Sequence, residues 1–354
     1  MDTEQNQEFV FTHRDYHSHE GVFFGHDETT GFKGIIAIHS RKRGPALGGM
    51  RMSLYPDEPA ALSDVLRLSE GMTYKAAAAE LKLGGGKMVV LADPKKEKTK
   101  DLLLSAGRFV QLLSGAYITA EDSGTNLEDM LVINQATKYE VGIKSGDPSR
   151  LTAYGTYLGI KACVEFKLGK KELRGLKVAI QGIGNVGSKL AEYLYQDGCQ
   201  LTVTDTGEEK VKRLSENNIK FTFVKPEEIF SQAVDIFSPN ARGAVLNENT
   251  VPQLKCAIVA GAANNQLSEE KIGDRLFEKD ILYAPDYIIN AGGLINVSEK
   301  LVGYSRDMVT VKVKRISDRL SHLFKVSKAG GISTLSAANR IAEQRIKKAR
   351  QKKK

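Results

Sequence analysis

Two lysines and an aspartate are the residues of this chain best suited to moving protons. Lys75 and Lys87 stand in GMTYKAAAAELKLGGGK, residues 71–87, among apolar and small side chains. An ammonium in such a setting is costly unless an anion, from the protein or from a ligand, answers it. A lysine that is desolvated or has cationic neighbours can lose its proton near neutral pH. Lys87, directly after Gly84-Gly85-Gly86, therefore reads either as a base or as a surface lysine at a strand start. A phosphate-binding P-loop is excluded, because Met88 follows Lys87 where Ser or Thr is needed and Leu81 stands where the leading glycine belongs. Asp122 closes the strand-like run that begins at Gly115. Strand ends are where α/β folds place chemistry, but Asp122-Ser123-Gly124-Thr125-Asn126 could equally cap a helix. Both readings stand.

A second constellation points to a nucleotide. Residues 177–181 read as a strand, Gly182-Ile183-Gly184-Asn185-Val186-Gly187 follows, and 186–195 has the pattern of a helix. A further strand at 201–204 ends in Asp205, 18 residues after the last glycine. That is GxGxxG in its strand–turn–helix context, with the acid that meets a ribose. Gly182, Gly184, Asn185, Val186 and Gly187 would bring backbone against a pyrophosphate at a helix N-terminus. Asp205 would accept from a ribose 2′-hydroxyl and repel a 2′-phosphate, which favours NAD over NADP. Ala262-Ala263-Asn264-Asn265 and Asn290-Ala291-Gly292-Gly293 stand where the nicotinamide end would rest, although Asn and Gly also serve ordinary turns.

The elements that must hold these groups are legible in outline. Leu62, Val65, Leu66, Ser69, Met72, Ala76 and Ala79 mark one buried helix stripe, which Lys75 shares or flanks, and Asp57 is its expected start. The helix is expected to break at Gly84-Gly85-Gly86, with a strand from Lys87 to 92. Strands are expected at 32–40 and 50–55, with a turn of exposed amides at 44–49 between them, and a helix at 102–113. A Gly/Pro/Ser-rich stretch at 144–150 reads as the crossing into a second domain, opened by a helix at 152–166. Strand-like runs at 234–237, 257–260 and 281–283 alternate with helical segments, the pattern of a mostly parallel sheet covered on both faces.

Composition narrows the class. The chain has 354 residues, 41% hydrophobic and 27% charged, enough for two globular domains. Its net charge of +8 is concentrated in residues 345–354, which hold seven Lys or Arg and no acid. That tail has no aromatics on which bases could stack, so a solvated, frayed terminus is expected and nucleic-acid binding is not. Cys163, Cys199 and Cys256 are too few and too scattered for a disulfide framework, and neither a signal peptide nor a long apolar run is present, so a cytoplasmic protein is expected. His13, His17, His19 and His26 complete no metal-ligand pattern.

The segments GPALGG, GMTYK, LGGGK, TAED, QGIGNVG, GAANNQL and PDYIINAGGLINV, in this order, resemble the motifs of the amino-acid dehydrogenases acting on glutamate, leucine, phenylalanine and valine, most of all the leucine-acting branch. The resemblance runs from about Phe9 to Ile346. It implies an α/β fold in two domains: an N-terminal substrate domain with a mixed sheet, residues 1–146, and a Rossmann NAD-binding domain, 147–329, with a cleft between. The C-terminal segment 330–354 would be a helix packing back or a basic tail. The implied reaction is reversible oxidative deamination of an L-amino acid to its 2-oxo acid and ammonium, in a homo-oligomer formed through the first domain. By the same resemblance Lys75 would hold the substrate carboxylate, Lys87 would act as base on water, and Asp122 would exchange protons with the amino group. The amides around Gly48 and Gly49 would steady the substrate, Asn290 would touch its amine and the nicotinamide, and Asn240, Ala262 and Asn264 would lie by the cofactor.

Leu47 stands where glutamate-acting relatives carry a lysine, so an apolar pocket and a branched-chain substrate are expected. Ala120 leaves room for an aromatic one, and a pocket of this kind discriminates by only ~1–3 kcal/mol per methylene. The chain departs from the family pattern at Pro239-Asn240-Ala241-Arg242-Gly243, at Ser123 after TAED, and in a shorter linker ending Ser149-Arg150. Arg242 introduces a charge by the cofactor that could alter nicotinamide placement or substrate choice. An idle NAD-binding sensor or scaffold is the alternative from another class.

Overall fold

The computed structural model describes residues 9–143, 147–241 and 243–351. Two compact units emerge: Met1–Gly146 with Arg345–Lys354, and Asp147–Gln344.

In the first unit the chain runs through β1 (Gly21–Asp27), β2 (Phe32–Ser40), β3 (Ala46–Ser53), α1 (Glu58–Ala78), β4 (Gly84–Leu91), α2 (Lys100–Leu112), β5 (Tyr117–Glu121) and α3 (Leu127–Ile133). The sheet order is β1-β2-β4-β3-β5. The β1–β2 and β2–β4 pairs are antiparallel, while β3 pairs parallel with both β4 and β5, so the sheet is mixed. Side chains alternate across it as pleating requires. Ile36, Met50, Met52, Met88 and Val90 form one core with Leu102, Phe109 and Ile133 of α2 and α3. Ile35, Ala37 and Val89 form another, on the opposite face, with Leu62, Val65 and Leu66 of α1. Asp57 caps α1, its carboxylate accepting from Ala60 N at 2.8 Å.

Two expectations fail here for one reason. Gly84-Gly85-Gly86 do not break the chain before a strand; they are its first three residues, Gly84 paired with β3, Gly86 with β2 and Gly85 with both. Gly48 and Gly49 likewise lie in β3 rather than in an exposed turn, opposite Thr119 and Ala120 of β5. Glycine propensity argued for loops, but these positions are glycine because neighbours press on them. A Cβ on Gly85 would overlap Thr73 N of α1, and one on Gly48 would overlap the Gly86 carbonyl oxygen. Strand β1, for which the sequence carried no assignment, pairs with β2 along its whole length.

The second unit holds α4 (Ser149–Leu168), β6 (Lys177–Gln181), α5 (Asn185–Gln196), β7 (Gln200–Thr204), α6 (Glu208–Glu216), β8 (Phe221–Phe223), β9 (Ile236–Pro239), β10 (Ile258–Val259), α7 (Lys271–Glu278), β11 (Leu282–Tyr283), α8 (Asp286–Ile289), α9 (Gly292–Ser298), α10 (Arg306–Gly330) and the first part of α11 (Thr334–Gln351), whose residues from Arg345 onward belong to the first unit. All six strands are parallel, in the order β11-β10-β9-β6-β7-β8. The order reverses between β6 and β9, the switch point of a doubly wound Rossmann sheet, outside whose strand ends such folds bind ligands. Helix α4 packs closely through small residues: a Cβ on Gly159 would lie 2.5 Å from Ile289 Cγ1 and 2.9 Å from Leu320 Cδ1.

Of the two forms considered for the C-terminal segment, a helix packing back or a basic tail, the described residues take the helical one. Helix α11 continues to Gln351, and Arg345 donates to the carbonyls of Ala77 and Ala78 at 3.2 and 2.9 Å and to Glu80 Oε1 at 2.7 Å. A cation on the last carbonyls of α1 both satisfies orphan acceptors and complements the helix dipole.

Candidate active site

Strand alternation determines which groups can meet on the α1 face of the first sheet. Met88 and Val90 point to the α2 core, so Lys87 and Val89 turn toward α1. On β3 the same rule sends Met50 and Met52 away from α1 and leaves Leu47, Gly49 and Arg51 facing it. Lys87 is 5% exposed, and its Nζ bonds Oδ2 of Asp122, which follows β5. Asp122 does not cap α3: Asn126 does so, in a reciprocal capping box with Asp129. Its own amide donates to Thr125 Oγ1 at 3.0 Å, and that hydroxyl donates to Met50 O at 2.9 Å, tying the acid to β3.

No motif in the chain announces the rest of this network. Arg51 Nε stands 3.5 Å from the same Asp122 Oδ2, while Arg51 Nη1 holds Asp64 Oδ2 of α1 at 2.9 Å. Tyr55 donates to Asp64 Oδ2 at 2.7 Å. Burial pushes the Lys87 ammonium below the ordinary lysine value against the pull of Asp122, and the Arg51 cation pushes it further. Burial works to raise Asp122, but Lys87 and Arg51 more than offset it and hold the carboxyl below its usual range. The pair thus combines a lysine primed to give up its proton with an acid kept charged, the arrangement a general base and its proton relay require.

The other expected substrate contacts lie in the same unit. Lys75 is half-buried in the last turn of α1. Leu47 is 1% exposed, Ala120 is half-buried at the end of β5, and the Gly48 carbonyl accepts from Tyr117 Oη at 2.7 Å. Two of the N-terminal histidines bond to α1: His17 meets Glu70 at 2.9 Å, and His19 meets Leu66 O and Ser69 Oγ at 3.1 and 3.0 Å. Among the described residues no group of three or more His, Cys, Asp or Glu could hold a metal.

In the second unit the Gly-rich turn follows β6 at the switch point. Gly182 has φ +90°, and a Cβ there would lie 2.6 Å from Ala241 Cβ; one on Gly187 would overlap the Gly182 carbonyl, so helix and turn need both glycines. Around Gly184 nothing lies within 4 Å of the Cβ position. Helix α5, with Asn185 and Val186 in its first turn, has no side-chain cap, so its N-terminal amides and dipole are left for an anion. Asp205 accepts from Ile183 N and Gly207 N at 2.9 Å each and from Lys210 Nζ at 3.1 Å, which braces the turn from the end of β7. Asn240, after β9, accepts from Ala262 N at 2.9 Å. Asn290 is 4% exposed; its amide donates to Asn264 Oδ1 at 2.8 Å and Ala262 O at 3.2 Å, while its own buried Oδ1 finds no partner. An uncapped helix, an open glycine and an orphaned acceptor fit a dinucleotide with a phosphate at one end and an amide at the other. Arg242, singled out as a departure by the cofactor, and residues 144–146 of the linker lie outside the described residues.

A chain that carries a Rossmann unit and, in a separate unit, a buried Lys–Asp pair has the parts a dinucleotide-linked oxidoreductase needs. Residues 19–139 match the Glu/Leu/Phe/Val dehydrogenase dimerisation domain, and 200–353 match the glutamate/leucine/phenylalanine/valine dehydrogenase domain. The leucine dehydrogenase of Bacillus subtilis is 46% identical over 346 residues, covering 96% of this chain and 95% of that protein. The crystal structure of L-tryptophan dehydrogenase from Nostoc punctiforme shares 47% identity with a TM-score of 0.83, covering 94% of this chain and 97% of its own. A hetero-hexameric glutamate dehydrogenase from Thermus thermophilus, at 22% identity and TM-score 0.78, shares the fold across 95% of this chain and 90% of its own. The chain belongs to the Glu/Leu/Phe/Val dehydrogenase family. It is therefore an amino-acid dehydrogenase, an NAD(P)-dependent oxidoreductase acting on CH–NH2.

Proposed function

We propose that this protein catalyses the reversible, NAD-dependent oxidative deamination of a branched-chain L-amino acid to its 2-oxo acid and ammonium. The observation that carries the reading is the buried Lys87–Asp122 pair. Lys75 binds the substrate carboxylate, Leu47 and Ala120 line the side-chain pocket, and the backbone at Gly48 and Gly49 positions the reacting carbon. Bound NAD supplies the hydride acceptor. Gly182, Gly184, Asn185, Val186 and Gly187 would hold its pyrophosphate, Asp205 its adenosine ribose, and Asn240, Ala262, Asn264 and Asn290 its nicotinamide end. Loss of hydride from the α-carbon leaves an iminium on the substrate. Before hydride loss Asp122 takes a proton from the substrate ammonium; Lys87, neutral, then takes one from the water that attacks the iminium carbon, Asp122 returns its proton to the nitrogen, and as the C–N bond breaks ammonia leaves with the hydroxyl proton as ammonium.

The apolar, buried Leu47 offers no countercharge to a side-chain carboxylate, which supports an uncharged substrate. A second reading, an aromatic amino acid, draws support from the 47% identity to the Nostoc tryptophan enzyme. We assign the protein to the cytoplasm and to a homo-oligomer built through the first unit; among the described residues no helix is long and apolar enough to cross a membrane.

The test is NADH formation by the purified protein with leucine, isoleucine, valine, phenylalanine, tryptophan and glutamate. Turnover with the aliphatic group, reduced about 10²–10⁴-fold in Lys87→Ala, is the expected result. Preference for phenylalanine or tryptophan would transfer the assignment to the aromatic reading. NAD binding without turnover on any of them would leave a sensor or scaffold.

A further inference from the structure

Arg51 has two carboxylates within reach and is committed to only one. Asp64 accepts from its Nη1 at 2.9 and 3.2 Å, and Tyr55 fixes Asp64 from the other side. Its Nε, by contrast, is buried with no hydrogen-bond partner, although it stands 3.5 Å from Asp122 Oδ2. That oxygen is already taken by Lys87 Nζ. A buried donor left unmade is unfavourable, and here a small turn of the Asp122 carboxylate would satisfy it.

We propose that Arg51 is a positioning residue for the proton relay: it is the second partner onto which Asp122 turns when its bond to Lys87 loosens. This rests on the proton-transfer roles given above to Lys87 and Asp122. Asp64 and Tyr55 latch the guanidinium so that Nε keeps facing the relay. With Arg51 in place, Asp122 returns to its charged form after each transfer and stays oriented while the Lys87 proton comes and goes. The charged and titratable groups gathered here are Lys87 from β4, Asp122 after β5, Asp64 from α1 and Tyr55 after β3. Removing the Arg51 cation takes away a repulsion on Lys87-H⁺, so the neutral base appears only at higher pH.

A merely structural Arg51, tying β3 to α1 through Asp64, would affect stability and leave that titration where it is. The discriminating experiment compares wild type with Arg51→Gln, Arg51→Lys and Asp64→Asn. It reads kcat and KM against pH, and the pH dependence of Lys87 acetylation by trace acetic anhydride. Arg51→Gln is expected to lower kcat about tenfold or more, change KM by less than about threefold, and move the acid limb of kcat/KM up by about one pH unit. The acetylation midpoint should move the same way, and Arg51→Lys should return both toward wild type. Asp64→Asn keeps the cation but unlatches it and also removes an anion that favours Lys87-H⁺, so kcat should fall while the limb moves, if at all, to lower pH; an unchanged kcat in this variant overturns the inference if Arg51→Gln does not fold. A limb and an acetylation midpoint unmoved in folded Arg51→Gln overturn the inference. If wild type turns over none of the amino acids, the proposed reaction fails, and the acetylation midpoints alone still decide whether Arg51 sets the state of Lys87.

Discussion

In the proposed reaction Lys87 has to be neutral to accept a proton, and the charged Asp122 beside it pulls it the other way, toward the cation. Burial disfavours the lysine cation strongly enough to lower its pKa even with the carboxylate in contact. The pH profile should carry that signature, with activity rising as pH increases through a Lys87 ionisation below the ordinary lysine range. Asp122→Asn removes the anion that favours Lys87-H⁺, so its acid limb should lie at lower pH than wild type while kcat falls about 10²-fold. A limb displaced upward would mean that Lys87 is not the group being titrated. Lys87 and Asp122 were legible in the sequence because each stands in a motif, after the glycine run and at a strand end. Arg51, Asp64 and Tyr55 were not, since neither a strand residue nor a helix acid announces that tertiary packing will bring it to the relay.

Glycine means different things in different elements, and the contrast is testable. Gly85 is occupied space: helix α1 lies so close to β4 that an added Cβ would overlap Thr73 N, and Thr73 Oγ1 as well. Helix α1 also carries Lys75 and Asp64. Gly85→Ala should therefore cost ~3 kcal/mol or more in urea denaturation and depress activity by shifting the helix. Gly184 is vacant space, with a backbone conformation alanine tolerates and no atom within 4 Å of its Cβ position. Gly184→Ala should lower stability by no more than about 1 kcal/mol yet weaken NADH binding measured by fluorescence titration. Unchanged NADH affinity would remove the pyrophosphate from this turn. Regular periodicity made α1 and the β6–α5–β7 unit readable, down to the Asp57 cap. The strand placement of Gly48, Gly49 and 84–86 was hidden because local propensity says loop, and only the neighbouring strands and helix overrule it.

On the scale of the molecule, the charge excess can be read from composition, but which of its two expected forms the C-terminal segment takes cannot. Arg345 counts as one more basic tail residue until the last turn of α1 is there to receive it. Buried histidines contribute to the response of the first unit to acid. His39 of β2, its side chain 13% exposed, bonds Thr73 Oγ1 at 2.9 Å and lies 3.2 Å from His17 O. Burial carries its pKa down to about 4 against the pull of Glu70, and burial lowers His19 as well. Unfolded, His39 would titrate at about 6.5, so the unfolded chain binds more protons between these values. The stability from keeping this ring neutral is full above pH ~6.5 and lost as pH falls toward about 4, on the order of 3 kcal/mol. His17 works in the opposite sense, because its bond to Glu70 raises its pKa, but it is more than half exposed and solvent screens the effect. Denaturation of wild type and His39→Gln, followed by circular dichroism, should show the variant less stable near neutrality. The gap should close as pH drops through this window, because glutamine has no proton to take up. A gap that stays constant across it would mean that His39 is not what acid attacks, and would shift attention to His19, whose buried Nδ1 has no hydrogen-bond partner.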